Sequence, residues 1–320
     1  MIDFRYHLVS IVSIFLALAV GIVLGAGPLQ GEIGDTLSNE VAGLREDKAR
    51  LNTQLEEANS ATEASDSYIG ETNPEVLAGV LQDRRVALVV LPGSDAALTE
   101  STSASLRSAG ASVASTTSVS ESWVTTQEAS AAVRDEAVQE GATRAGVDLT
   151  DTGAVAPRDV LLAALLTTPA QEGSTAVAAS TATAGLEVLA AADLIEIDTE
   201  GFELADLVVV VSGTVTQGDL EARRTAAERW VDLAIAFDDR SAGALVAGDT
   251  TTAGEGVSVV ATVRNDATAT DGVSTVDNAG SSLGQASVVH GLVQQAAGEV
   301  GQYGLAPGAD APYAPLPAAS

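Results

Sequence analysis

A serine flanked by glycines is the residue of this sequence that most closely fits a catalytic role. Ser282 lies in the segment 280–284, GSSLG, which matches the Gly-x-Ser-x-Gly pattern of a nucleophile elbow. Such a serine needs a histidine as its general base, and His290 follows only eight residues later. An elbow serine normally takes its histidine from a later loop. We therefore predict that the protein is not an enzyme, with a serine hydrolase using Ser282 as an alternative.

Side chains that bind transition metals are scarce. The sequence has no cysteine, its one methionine is Met1, and its two histidines are His7 and His290. Acidic stretches at residues 193–203 and 238–239 could attract Ca²⁺, but neither has a recognised loop spacing. We interpret them as solvated acidic surface. The residues themselves predict no cofactor and no metal site, and His290 is retained as the single candidate ligand.

The charge of the chain excludes some classes of partner. The net charge is −29 and the sequence pI is about 4.1. Nucleic-acid binding depends on basic residues that neutralise phosphates, so we predict no nucleic-acid partner. The turn at residues 91–95, LPGSD, also lacks the glycine spacing of a dinucleotide fingerprint.

An apolar segment lies near the N-terminus. Residues 8–27 carry no charge and are long enough to span a bilayer, which needs about 20 residues. Pro28 disfavours cleavage after the small residues before it, so we predict an uncleaved anchor; a cleaved signal or a buried core helix are the alternatives. Arg5 precedes the segment, and the positive-inside rule then predicts that residues 1–7 lie in the cytoplasm and that residues 28–320 are exported. Gly21 and Gly25 could let two such helices approach closely.

A helical stalk is predicted for residues 28–73. A heptad-like seam recurs there, and a polar residue within it can set register. The seam, which predicts a short parallel coiled coil and a homodimer, consists of Val41, Leu44, Lys48, Leu51 and Leu55. The alternative is an isolated solvated helix. Gly31 and Gly34 predict a flexible join, and Pro74 predicts the end of the stalk.

The remaining chain predicts an α/β domain over residues 74–305. Apolar strands are predicted at 86–91, 111–119, 206–212, 244–247, 257–263 and 273–276, with helices between them. This alternation predicts a parallel, Rossmann-like sheet covered on both faces. The last residues, 306–320, are rich in Pro, Ala and Gly and are predicted to be disordered.

Blocks at both ends of the chain form a recognisable pattern. They are residues 1–10, MIDFRYHLVS, residues 15–25, FLALAVGIVLG, and residues 44–47, 273–278, 284–285 and 301–304. Together these blocks resemble the actinobacterial MctB family. The family carries a copper-transporter label and implies copper transport or homeostasis, copper as a possible ligand, and an outer-membrane location. A corynebacterial relative, SteB, implies instead an inner-membrane protein that pairs with SteA in cell separation and controls peptidoglycan hydrolysis.

The residues favour a scaffold over a conduit. An outer-membrane channel needs many alternating strands of about 10 residues, whereas this sequence alternates apolar strands with helices. Copper(I) prefers thiolate and thioether ligands, which are nearly absent here. We expect a single-pass protein of the cell membrane, with its bulk in the periplasm or cell envelope, that scaffolds an envelope partner. A SteB-like regulator with a SteA-like partner is the alternative.

Overall fold

The chain begins with an apolar helix. The computed structural model describes residues 4–26, 29–170, 176–249 and 256–316. Helix α1 spans Phe4–Ala26, and its segment Phe4–Gly25 is long and apolar enough to cross a membrane. All the described side chains of α1 are exposed in the single chain. This supports the predicted membrane anchor, whose last residue, Gly27, lies outside the described residues.

A long second helix follows. Helix α2 spans Leu29–Val76, 48 residues, and runs through the predicted join at Gly31 and Gly34. It also contains Pro74 and ends two residues after it. The chain divides into two compact units, residues 1–65 and residues 66–320, so the last turns of α2 belong to the second unit.

The second unit is an α/β domain, as the sequence predicted. Its strands are Arg85–Val90 (β1), Ser112–Val119 (β2), Ile195–Ile197 (β3), Leu207–Ser212 (β4), Thr214–Val215 (β5), Ala244–Gly248 (β6), Val257–Ser258 (β7), Ser274–Val276 (β8) and Gln302–Tyr303 (β9). Among the described residues, seven of them form one sheet in the order β3-β2-β1-β4-β6-β8-β9. All neighbours are parallel except β2 and β3, and β5 pairs with β7 in a separate antiparallel ribbon.

Helices cover both faces of this sheet. They are Ala96–Ser108 (α3), Glu128–Ala145 (α4), Pro157–Leu166 (α5), Ala179–Ala191 (α6), Leu220–Arg240 (α7), Val259–Asn265 (α8), Ala267–Gly272 (α9) and Ser282–Ala296 (α10), with a short 3-10 helix at Glu121–Val124. Within β4, Val208 and Val210 face one core, while Leu207, Val209 and Val211 face the other. Such alternation follows from the two-residue period of a strand, and burial of both faces explains the continuous apolar runs.

One predicted strand is mostly a helix. Residues 257–263 form β7 for two residues and then enter α8. The Ser258 hydroxyl accepts a hydrogen bond from the Ala261 backbone N–H and caps the helix. Val259, Val260 and Val263 are then buried on one side of the helix. Tertiary burial therefore outweighs the β-propensity of the valines.

Residues 306–316, which were predicted to belong to a disordered tail, pack against the domain in the structure. The Gly304 backbone N–H donates to the Ala311 carbonyl, and the Ala314 N–H donates to the Ser287 hydroxyl at 3.2 Å. Ala314 is only 4% exposed. Composition suggested disorder, but backbone hydrogen bonds and one small apolar contact order these residues. Residues 317–320 lie outside the described residues.

Candidate functional site

The predicted seam of the stalk is an exposed apolar stripe on α2. The exposed fractions are 37% for Val41, 64% for Leu44, 60% for Leu51 and 59% for Leu55. Lys48 is exposed on the same helix. Leucine side chains left in water lose the free energy that burial would provide, about 1.5–3 kcal/mol each. We refer to Val41, Leu44, Lys48, Leu51 and Leu55 as the stalk seam.

Sequence reasoning missed one member of this stripe. Leu37 lies one heptad before Leu44 and is 59% exposed. It therefore extends the stripe by about one helical turn beyond Val41, toward the N-terminus of α2. Counting back seven residues from Leu44 would have found it.

The glycine pair of α1 is also uncovered within the single chain. A Cβ atom added to Gly21 or Gly25 would meet nothing within 4 Å. Their use in helix dimerisation stays a prediction.

Ser282, the candidate nucleophile, is the first residue of α10. The Ser281 side chain caps this helix by accepting from the Gly284 N–H. The carboxylate of Asp66, in the last turns of α2, accepts from the Ser282 N–H at 2.7 Å and from its hydroxyl at 3.1 Å. The Asn73 side-chain amide donates to the Ser282 carbonyl at 2.8 Å. A carboxylate at a helix N-terminus is favoured by the unsatisfied N–H groups and the helix dipole.

The two glycines around Ser282 also have packing reasons. A Cβ atom on Gly284 would overlap the carbonyl oxygen of Asn278, and one on Gly280 would lie 2.7 Å from a carboxylate oxygen of Asp249. The two glycines therefore allow close packing at the start of α10, while Asp66 and Asn73 connect Ser282 to the end of α2. The Ser282 hydroxyl contacts Asp66, while His290 lies further along α10.

His290 is buried in the domain. It is 4% exposed, and its Nδ1 has no hydrogen-bond partner among the described residues. Burial lowers its pKa, which favours the neutral imidazole. In the described part of the chain, no group of three or more His, Cys, Asp or Glu side chains could hold a metal ion.

The loops at the centre of the sheet are closely packed. The chain order reverses between β1 and β4, which is where α/β sheets open a ligand crevice. Here Gly213 approaches the backbone of Gly93 so closely that a Cβ atom would overlap it. The Ser94 hydroxyl donates to the Val211 carbonyl, and the Asp95 carboxylate accepts from the Ala97 N–H. Asp95 occupies the start of α3, where a nucleotide phosphate would bind in a Rossmann domain.

Comparison with known proteins decides the family. Residues 1–314 match a family described as "Copper transport outer membrane protein, MctB". The chain belongs to the MctB family.

Two relatives illustrate how far the similarity extends. The protein named copper transporter MctB of Mycobacterium tuberculosis (strain H37Rv) is 26% identical over 314 residues, which covers 97% of this chain and 98% of the relative. The protein of the same name from Mycobacterium leprae (strain TN) is 28% identical over 330 residues, with the same two shares. The family match over residues 1–314 includes α1, α2 and the whole α/β sheet of this chain.

Proposed function

We propose that the protein is a non-enzymatic, membrane-anchored envelope protein that acts by scaffolding. The observation that carries this proposal is the stalk seam. Apolar side chains repeat along α2 and remain uncovered by the chain itself. A second helix would bury them. The simplest arrangement is a parallel pair of identical stalks, each anchored by its own α1 helix.

The orientation in the proposal follows from charge. Arg5 lies before the apolar segment, and the next basic residue after it is Arg45. The positive-inside rule then gives a cytoplasmic N-terminus, with the stalk and the α/β domain in the periplasm or envelope. The homodimer would present two acidic domains to a protein partner.

Copper handling is the second candidate function, and family membership favours it. The matched relatives are named copper transporters. In this chain, copper would have to be held without cysteine and with His290 buried in the domain. Soft Cu(I) prefers thiolates and thioethers, so we propose that any effect of this protein on copper is indirect.

A SteB-like role in cell separation is one form of the scaffold proposal. The partner would be a SteA-like protein, and the output would be control of peptidoglycan hydrolysis. The exposed apolar seam and the acidic surface of the domain could both contact a protein partner.

The first experiment measures self-association of the full-length protein in lipid nanodiscs and in detergent. Light scattering should give a dimer for the wild type and a monomer after Leu44→Ser, Leu51→Ser and Leu55→Ser are combined. The matched control combines Ala42→Ser and Ala49→Ser, which lie outside the seam on the same helix. A triple variant that stays dimeric, or a monomeric wild type, would refute the proposed coiled coil.

The second experiment separates scaffolding from copper binding. Calorimetry with Cu(II) and a competition assay with Cu(I) are carried out on the full-length protein. We expect no binding tighter than about 1 mM, which corresponds to roughly −4 kcal/mol. Stoichiometric binding that is lost in His290→Ala would instead establish direct copper handling.

A further inference from the structure

A pocket of about 660 Å³ opens beside the closely packed loops at the centre of the sheet. Its lining follows the carboxyl ends of β1, β2 and β4 and continues into the first three turns of α7. Small-molecule sites in proteins have volumes of roughly 300–1,000 Å³ and favour this place in α/β sheets. Neither the stalk seam nor the start of α10 contributes to it, so it is a separate site.

Two arginines hold one wall of the pocket from outside. Arg229 donates to the backbone carbonyls of Val124 and Thr125 at 2.6 and 3.1 Å. Arg134 donates to the carbonyls of Trp123 and Thr125 at 3.2 and 3.0 Å. Residues 123–125 are thereby fixed before any ligand arrives, which reduces the ordering cost of binding. Both guanidinium groups are engaged with the wall, and neither arginine is part of the lining.

Among the described residues, the lining is polar but carries no basic side chain. Its hydroxyl and amide groups belong to Thr125, Thr126, Thr214, Thr216, Thr225, Gln127 and Gln217. Its carboxylates are Glu121, Asp219 and Glu221. Asp219 also caps α7 by accepting from the Ala222 N–H at 2.9 Å, so a carboxylate already occupies the anion position of that helix. Phosphates, nucleotides and carboxylate ligands would meet like charge here.

An apolar patch completes the lining. Pro92, Val124, Val215, Ala226 and Trp230 contribute it. A ligand that fits must combine hydroxyl donors for the carboxylates and carbonyls with a C–H face for this patch. Sugar rings have this division between a polar edge and an apolar face.

We propose that this pocket binds an uncharged saccharide of one or two sugar rings. The carboxylates and amide oxygens accept hydrogen bonds from ring hydroxyls. The threonine hydroxyls donate or accept as the sugar requires. The apolar patch covers one face of the ring.

The test uses the full-length protein in lipid nanodiscs, because glycosidic detergents would compete. N,N′-diacetylchitobiose is titrated while saturation-transfer NMR and tryptophan fluorescence are recorded, since Trp230 lines the pocket. We expect a dissociation constant of about 1 mM or tighter. Ala222→Trp should abolish binding by filling the pocket, and Glu221→Ala should weaken it about two- to tenfold through one lost hydrogen bond.

The control is Glu228→Ala, an exposed position on α7 outside the pocket, which should leave binding unchanged. Urea unfolding of each variant checks that the domain is folded. No binding of the disaccharide by folded wild-type protein would overturn the proposal. Binding that survives Ala222→Trp would overturn it too, and so would Ala222→Trp-sensitive binding of inorganic phosphate or tetralysine in place of the sugar.

Discussion

The stalk and the α/β domain handle their apolar residues in opposite ways. In the domain, Leu88, Val209 and Leu245 are fully buried by the chain itself. In the stalk, Leu44 and Leu51 are more than half exposed, and the apolar residues of α1 are exposed as well. The domain therefore buries its apolar core within the single chain, whereas the described apolar side chains of the N-terminal unit stay exposed in it. We therefore expect substitutions in the domain to change its stability, and substitutions in the stalk to change self-association.

The same contrast holds for charge. In the domain, Arg264 and Asp277 form an ion pair of 2.6 Å whose side chains are 2% and 1% exposed. In the stalk, Arg50 and Asp47 are 2.8 Å apart, but their side chains are 62% and 54% exposed. Water screens the exposed pair of the stalk but is excluded from the buried pair of the domain. Breaking the buried pair should therefore cost much more stability than breaking the exposed one.

The largest effect is expected from breaking the buried pair. Asp277→Ala leaves Arg264 as an uncompensated buried charge and also removes the acceptor of the Leu305 and Ala306 N–H groups. The free energy of unfolding of the domain should fall by about 3–5 kcal/mol. Urea unfolding followed by tryptophan fluorescence measures this, because both tryptophans, Trp123 and Trp230, lie in the domain.

The matched control for that variant is Asp47→Ala in the stalk. Exposed pairs contribute about 0–1 kcal/mol, and this one lies outside the fluorescent domain. An equal loss in both variants would mean that burial does not distinguish the two regions.

The next effect depends on pH. Asp159 is fully buried beside Arg158, accepts a hydrogen bond from the Trp123 indole at 2.7 Å, and burial raises its pKa to about 6 from 3.8. The folded state thus binds a proton more tightly than the unfolded state, so this carboxyl lowers stability as pH rises from about 4 to about 6. Asp159→Asn removes the titration and keeps an acceptor for the indole.

Relative to the wild type, the free energy of unfolding of Asp159→Asn should therefore rise by about 3 kcal/mol between pH 4 and pH 7, from roughly 1.4 kcal/mol per pKa unit. Urea unfolding across this range, with wild type and variant at each pH, gives the difference directly. A difference that is constant with pH would show that Asp159 does not titrate in this window.

A smaller effect is expected at the junction of α2 and α10. Asp66→Ala removes two hydrogen bonds from a carboxylate to the start of α10, which should lower the free energy of unfolding by about 2 kcal/mol. Ser282→Ala keeps the backbone bond and should cost about 1 kcal/mol.

Glu63→Ala, one helical turn earlier and exposed, serves as the control for the junction and should change stability by less than about 0.5 kcal/mol. If Asp66→Ala were as mild as Glu63→Ala, the carboxylate would not hold the two elements together. A loss of stability in Ser282→Ala would support a structural role for the Ser282 hydroxyl.

The smallest change in domain stability is expected from the stalk seam. The combined Leu44→Ser, Leu51→Ser and Leu55→Ser variant should shift the unfolding free energy of the domain by less than about 0.5 kcal/mol while it abolishes self-association. Fluorescence-detected unfolding and light scattering on one sample separate the two readouts. A large loss of domain stability would show that the two regions are energetically linked.

Strong periodic segments were predictable from sequence, and short elements were not. The apolar runs of β1 and β4 and the helix that Asp95 caps all appear near their expected positions. The strands β3 and β9, with three and two residues, escaped prediction because a pattern needs several repeats to rise above chance. The helix at Val259 escaped it because valine favours strands unless a cap and a buried face overrule that preference.

The candidate sites divide in the same manner. The spacing of the stalk seam could be recognised in the sequence, since spacing along one helix determines which side chains share a face. Its use as an interface stays a prediction. The contact between Asp66 and Ser282 joins residues 216 positions apart, and no local pattern reports it. The pocket beside Trp230 likewise gathers residues from three loops and one helix.

Composition and local spacing were enough to predict the apolar N-terminal helix, a long helix after it, the alternation of strands and helices, and the near absence of soft metal ligands. These are properties of composition and local spacing, which the backbone geometry of helices and strands converts directly into structure. Tertiary packing, in contrast, brings the Asp66 carboxylate of α2 to Ser282, buries His290, and gathers polar loops around a pocket whose described lining has no basic side chain. Those features depend on which distant residues meet when the sheet closes, and that is decided by packing.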